Sequence, residues 1–193
     1  MKTRVINIEE YKAILTTIGS GFTFKVNGAD RKFRPNQRVK LALMLEGNLG
    51  VRIGDTLNLT LNSFRNNGTN IVLDIVEEKT GKNRTFTAPK ELYLVVKEYA
   101  LDNKLSTDDK LFPITERAVQ KQLKIVCNYL GLENISTHSF RKFYANEIFN
   151  NNGQNIELVR ALLQHSTIAI TQKYLGVSSK EIESAISNHV HIV

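Results

Sequence analysis

The chain has 193 residues, 41% hydrophobic and 23% charged, with a net charge of +7, which is enough for one well-cored domain and suits a polyanionic partner. No apolar run approaches the roughly 20 residues that span a bilayer, and Met1-Lys2-Thr3-Arg4 lacks a signal peptide's apolar core, so a cytoplasmic location without membrane contact is expected. The single cysteine, Cys127, excludes an intrachain disulfide and lies in an apolar helical stretch as a core residue.

Asn7-Ile8-Glu9-Glu10 has capping-box spacing, and Ile8, Tyr11, Ile14, Leu15 and Ile18 follow as one apolar stripe, so a helix runs from here to the Gly19-Ser20-Gly21 break. Residues 22–33 alternate weakly around Asn27-Gly28 and predict a hairpin. Pro35 suits a helix start, and Val39 to Leu49 is strongly apolar and helical. Residues 1–40 hold nine Lys or Arg against three acids, so most of the positive excess lies here. A surface that follows a phosphate backbone explains it; a solvated basic face is the plainer alternative.

Gly50 breaks the apolar helix, and Arg52 opens a short one through Leu57 and Leu59. After the Asn66-Asn67-Gly68 turn, the β-branched run from Asn70 to Val76 predicts a strand, Lys79-Thr80-Gly81-Lys82 a turn, and Asn83 to Thr87 a second strand. Pro89 begins a helix whose Leu92, Val95, Val96, Tyr99 and Ala100 share one face, and residues 101–112 read as a polar loop. Thr115 caps a helix to Leu130, another spans 137–151, and Asn155 caps a short helix carrying Leu158, Leu162 and Leu163. Residues 167–175 are helical, and Ser178-Ser179-Lys180-Glu181 is a second capping box before Ile182, Ile186 and Val190. The expected fold is α+β, mainly α, with one small antiparallel sheet.

Five residues carry chemistry that belongs together: Arg52, His138, Arg141, His165 and Tyr174. Two guanidiniums can hold a phosphate by paired hydrogen bonds. Two imidazoles can donate to its oxygens or move protons. A tyrosine can attack it, and because the phenol's pKa is about 10 that attack needs a neutralised phosphate. Each residue alone has a plainer explanation: surface charge, a satisfied helix-start histidine, a half-buried core tyrosine. No carboxylate cluster or Cys/His ligand set is visible, so neither metal nor cofactor is expected.

Leu49-Gly50-Val51-Arg52-Ile53-Gly54-Asp55, Thr137-His138-Ser139-Phe140-Arg141 and Leu162-Leu163-Gln164-His165 with Tyr174, in this order, closely resemble the boxes of the tyrosine recombinase (phage integrase) family. The resemblance runs from about residue 8 to 176. It implies that Arg52 and Arg141 hold the non-bridging oxygens of a scissile phosphate, and that His138 assists proton transfer while His165 hydrogen-bonds the phosphate. Tyr174 would then form a 3′-phosphotyrosyl link. Asp55 would brace the site, and Lys79 would be the general acid to the 5′-oxygen, with Lys82 the alternative. Arg31, Lys32, Arg34, Arg38, Lys40, Lys82, Lys142 and Lys173 are the expected contacts to double-stranded DNA.

The resemblance also implies self-association from dimer to tetramer on DNA, and a chain that is the catalytic domain over 1–193. The family's N-terminal clamp would be absent, and 177–193 would be a tail able to pack on a neighbouring protomer or on its own domain. The sequence departs from the family at Gln164, where glycine is usual, and at Val51, where leucine is usual. Two further readings stay open: a catalytically silent DNA-binding regulator on the same scaffold, and a topoisomerase that relaxes supercoils through the same tyrosine.

Overall fold

The computed structural model describes residues 3–175. Asn7 caps α1 (Ile8–Ser20) with a full capping box: its side chain accepts from the Glu10 N–H at 2.8 Å, and Glu10 accepts from the Asn7 N–H at 3.0 Å. Gly21, at φ 71°, ends the helix. The predicted hairpin forms as β1 (Phe22–Val26) and β2 (Ala29–Phe33), turned at Asn27-Gly28, both with positive φ. Its aromatic face is anchored, since Phe22 stacks on Phe33 and on Tyr129 with centroids 5.0 and 4.0 Å apart.

Helix α2 (Gln37–Leu49) is the centre of the molecule. It is capped by Asn36 rather than opened at Pro35, and it is apolar on most sides because it is surrounded: Val39, Ala42, Leu43 and Leu45 have no exposed surface. Gly50, left-handed at φ 59°, turns the chain into α3 (Ile53–Leu57), which stops short of Leu59. A 3₁₀ turn (Leu61–Ser63) follows, then β3 (Phe64–Asn66), β4 (Ile71–Val76) and β5 (Asn83–Ala88). The described residues therefore hold two small antiparallel sheets, β1-β2 and β3-β4-β5, where one was expected. Strand β3 escapes a sequence reading because it is short and only Phe64 of it is buried.

Pro89 caps α4 (Lys90–Asp102). Its buried face is Leu92, Val96, Tyr99 and Ala100; Val95, assigned to that face from its spacing, is 40% exposed. The loop after it is not wholly polar, because Leu111 and Phe112 plug the core. Then come α5 (Glu116–Tyr129), α6 (Thr137–Asn151), α7 (Ile156–Leu163) and α8 (Ile168–Leu175), close to their predicted bounds. Cys127 is buried in α5, and burial pushes its thiol up to about 11.

One large cluster joins α1 to α6 and the three-stranded sheet. A smaller one, Ala145, Val159 and Leu163 with Tyr144, Ile148, Phe149, Tyr174 and Leu175 packed against it, holds α7 and α8 to α6. Tyr174 thus rides on a helix fixed by apolar burial. The second capping box, Ile182, Ile186, Val190 and the 177–193 tail lie outside the described residues. No helix among the described residues is long and apolar enough to cross a membrane.

Candidate active site

Arg52 is the N-cap of α3, between the buried Val51 and Ile53, so its backbone is pinned while its side chain stays 24% exposed. Its Nη1 lies 2.9 Å from Glu77 Oε1 and 3.8 Å from Asp55 Oδ2. Asp55, one turn along α3, accepts at Oδ1 from the Glu78 N–H at 2.8 Å. Asp55 therefore bridges the arginine and the β4–β5 turn. Burial raises its pKa, against the Glu78 N–H and the Arg52 charge. Glu77 behaves in the opposite way: burial alone would raise it, but the Thr80 hydroxyl and Arg52 outweigh that and hold it below the ordinary carboxylate range.

Lys79 sits in this turn, exposed, and lines a cleft with Arg52, Asp55, Glu78, Glu116 and His138. His138 reaches the cleft from the first turn of α6, whose start Ser136 and Ser139 fix by a reciprocal cap. Burial, then the fields of Arg141, Lys142, Arg52 and Lys79, lower its pKa. Lys82, at the far end of the turn, is exposed and does not line the cleft.

Arg141 follows His138 by three residues but is 1% exposed. Its Nη1 donates to the Gly50 carbonyl and its Nη2 to the Leu163 carbonyl at 2.9 Å. Its guanidinium lies beside the Tyr174 hydroxyl and within the field of Arg52. The Tyr174 ring meets His165 edge-on at 5.0 Å and His138 at 5.9 Å. His165 Nδ1 is 3.1 Å from the buried Thr171 Oγ1, which fixes the ring's direction. Burial, with Arg141 and Arg52, pushes His165 down to about 4, and burial raises the Tyr174 pKa. At neutral pH the site thus holds neutral imidazoles and a neutral phenol beside the buried Arg141 guanidinium. An arriving anion would raise the imidazole pKa values.

The residues assigned to DNA contact scatter. Arg31 and Lys32 on β2, and Arg34 after it, are exposed and do not line the cleft. Arg38 turns its Nη1 to the Pro113 carbonyl at 3.5 Å, and the Lys40 stem lies against Gly19. Lys173 is exposed on α8. Lys142 is turned inward: its Nζ donates to the Thr3 carbonyl at 2.6 Å and lies 5.8 Å from the Tyr174 ring centre.

Three residues escaped sequence reasoning. Arg84 is buried on β5, its Nη groups donating to the Leu162, Leu49 and Gly50 carbonyls and its Cζ lying 4.4 Å over Phe86. Burial and Arg141 lower its pKa to about 10. Glu77 continues the inward face of Ile71, Leu73 and Ile75 past the strand end. Glu46 is a fully buried acid in α2. The available signal was the same in each case: a charged residue at an inward position of an otherwise apolar repeat.

The sequence model of the phage integrase family matches residues 8–181. A probable integrase/recombinase, YoeC of Bacillus subtilis (strain 168), is 28% identical over 157 residues, covering 78% of this chain and 83% of that protein. The tyrosine recombinase XerA of Pyrococcus horikoshii is 27% identical over 162 residues, covering 78% of this chain and 54% of that protein. The crystal structure of XerH site-specific recombinase in its post-cleavage complex with palindromic difH has a TM-score of 0.69 at 20% identity, over 97% of this chain and 53% of that one. This chain therefore spans about half the length of XerA and of XerH, and its fold is that of a tyrosine recombinase catalytic domain.

Proposed function

The chain belongs to the phage integrase family, and from that premise we propose that it cuts and rejoins double-stranded DNA at specific sites, through a transient bond between Tyr174 and a 3′-phosphate. The observation that carries this reading is the Tyr174 hydroxyl beside the Arg141 guanidinium, with both imidazoles against the same ring. The phenol oxygen attacks phosphorus and the 5′-oxygen leaves. The phenol proton passes to the histidine and phosphate network, led by His138, and Lys79 returns a proton to the departing oxygen. Arg52 and Arg141 offset the charge gathering on the non-bridging oxygens, while His165 donates to one of them. The bond energy is kept in the phosphotyrosine, so another strand's 5′-hydroxyl can reverse the step without ATP.

Self-association on DNA, a basic hairpin that tracks the phosphate backbone, residues 1–193 as the catalytic unit, and action in the cytoplasm complete the proposal. The test is a pool of nicked duplexes with randomised arms, in which the strand freed by cleavage diffuses away and leaves protein joined to DNA. Wild type should accumulate a covalent adduct that survives denaturation, and Tyr174→Phe should give none. Equal, negligible trapping by both proteins across salt conditions sinks the enzymatic reading. Band shifts without adduct would instead indicate a silent regulator, and relaxation of supercoils by monomer without sequence preference would indicate a topoisomerase.

A further inference from the structure

Glu77 is 1% exposed, and its polar groups converge on one turn and one arginine. Its N–H donates to the Lys82 carbonyl at 2.9 Å, and its carbonyl accepts from the Gly81 N–H at 2.7 Å. Its Oε2 accepts from the Thr80 hydroxyl at 2.8 Å, and its Oε1 lies 2.9 Å from Arg52 Nη1. The neighbouring Glu78 N–H donates to Asp55 Oδ1 at 2.8 Å, a second tether from the same turn to the same short helix. Lys79 comes directly after these two anchored residues and, like Thr80, Gly81 and Lys82, is exposed. The turn is thus gripped at Glu77 and Glu78 and unburied from Lys79 onward.

We propose that Glu77 is a positioning residue: its carboxylate locks the β4–β5 turn onto Arg52 and so brings the Lys79 ammonium to the departing 5′-oxygen. The inference rests on the function proposed above. The geometry favours it over a simple structural role, because the carboxylate joins two groups of one cleft that must act on the same phosphorus at the same moment. Arg52 serves the non-bridging oxygens, and Lys79 the leaving group. Among the described residues the Arg52 ion pairs run through Nη1 alone, which leaves the guanidinium's other N–H donors for phosphate. The carboxylate stays charged at neutral pH, since Thr80 and Arg52 hold its pKa down.

The leaving group provides the test. A 5′-oxygen leaves as a strongly basic alkoxide and needs Lys79's proton; a 5′-sulfur leaves as a stable thiolate and needs none. Two nicked duplexes of a sequence trapped by wild type are compared, one with the ordinary phosphodiester and one with sulfur at the bridging 5′ position. Glu77→Ala should slow cleavage of the oxygen substrate by about 10²-fold, the effect of a misplaced catalytic group, and leave the sulfur substrate near the wild-type rate. Lys79→Ala should show the same selectivity. Thr80→Val, at an exposed position that tolerates exchange, should show a smaller loss of the same kind and covers the case in which Glu77→Ala does not fold. Equal loss on both substrates, or faster cleavage of either, overturns the role of Glu77. Failure of wild type to trap DNA at all overturns the proposed function, and this inference with it.

Discussion

The Arg84 and Arg141 guanidiniums donate to the same acceptor, the Gly50 carbonyl oxygen. Each then reaches on to the end of α7, Arg84 to Leu162 and Arg141 to Leu163. Two segments far apart in sequence, before Arg52 and before His165, are thereby stapled together by buried cations. Arg84→Lys should break the staple, because an ammonium on a flexible stem cannot serve carbonyls at several angles. Loss of these charge-assisted bonds should cost about 2–4 kcal/mol of folding stability in urea titration. A variant as stable as wild type would show that the carbonyls are satisfied in other ways.

Gly50 faces two constraints. Its φ is 59°, and a Cβ there would fall within the van der Waals shell of the Tyr144 ring. Gly50→Ala should therefore lose about 2–4 kcal/mol, the left-handed penalty added to overpacking. Tyr144→Leu should recover part of that loss by vacating the space. If the double variant is no more stable than Gly50→Ala, the clash is not the cause.

Gln164 occupies the opposite situation. It caps α7 at φ 54°, a left-handed residue with a side chain, one position before His165. This is the physical reason glycine is usual there. Gln164→Gly should stabilise the fold by about 0.5–1 kcal/mol, since relief of the left-handed strain exceeds the entropy a glycine loses on folding. A lower melting temperature in the variant would count against the strain argument.

The sequence disclosed most of the helices because their caps are explicit, Asn7, Thr115 and Asn155 each accepting from a first-turn N–H. Its local boxes, which fix spacing within one element, contain Arg52, Asp55 and His138, which the fold brings to one cleft with Lys79; Glu78 and Glu116 of the same cleft lie outside any box. It was silent where a residue's meaning depends on what folds against it. Arg84 and Glu77 look like ordinary strand-end charges until the pleat turns them inward against Gly50 and Arg52. Lys142 has the spacing of a surface helix lysine, yet the Thr3 carbonyl and the Tyr174 ring claim its ammonium. Both are long-range contacts, and no local pattern encodes them.

His165 gives the fold an acid-sensitive term. Burial, Arg141 and Arg52 bring it from its ordinary 6.5 to about 4. As pH falls below 6.5 the unfolded chain binds a proton there and the folded chain does not, so folding weakens through that window. Above 6.5 both states are neutral at this position and the contribution is complete. His138, also lowered, acts in the same direction. The stability difference between wild type and His165→Asn should shrink in favour of the variant from pH 7 to 4.5 and stay level from pH 7.5 to 9. A difference that does not vary with pH below 6.5 would mean that His165 is solvated and titrates normally.

Glu46 should show the reverse dependence. It has no exposed surface, and burial holds its pKa well above the ordinary carboxyl range despite the Arg141 charge and the nearby Ile53 N–H. A raised folded pKa means that the folded state holds its proton more tightly than the unfolded one. That stabilising term is complete at low pH and is lost as pH rises from the ordinary carboxyl range through the folded value. Glu46→Met keeps the length and removes the buried charge. It should be more stable than wild type by about 1–3 kcal/mol at pH 8, and the gain should narrow toward pH 4.5, where the wild-type carboxyl is neutral in the folded state. Urea midpoints at the two pH values measure this directly. A Met variant less stable than wild type at pH 8 would mean that the carboxylate holds Arg141 in place, and that its field at the guanidinium outweighs its burial.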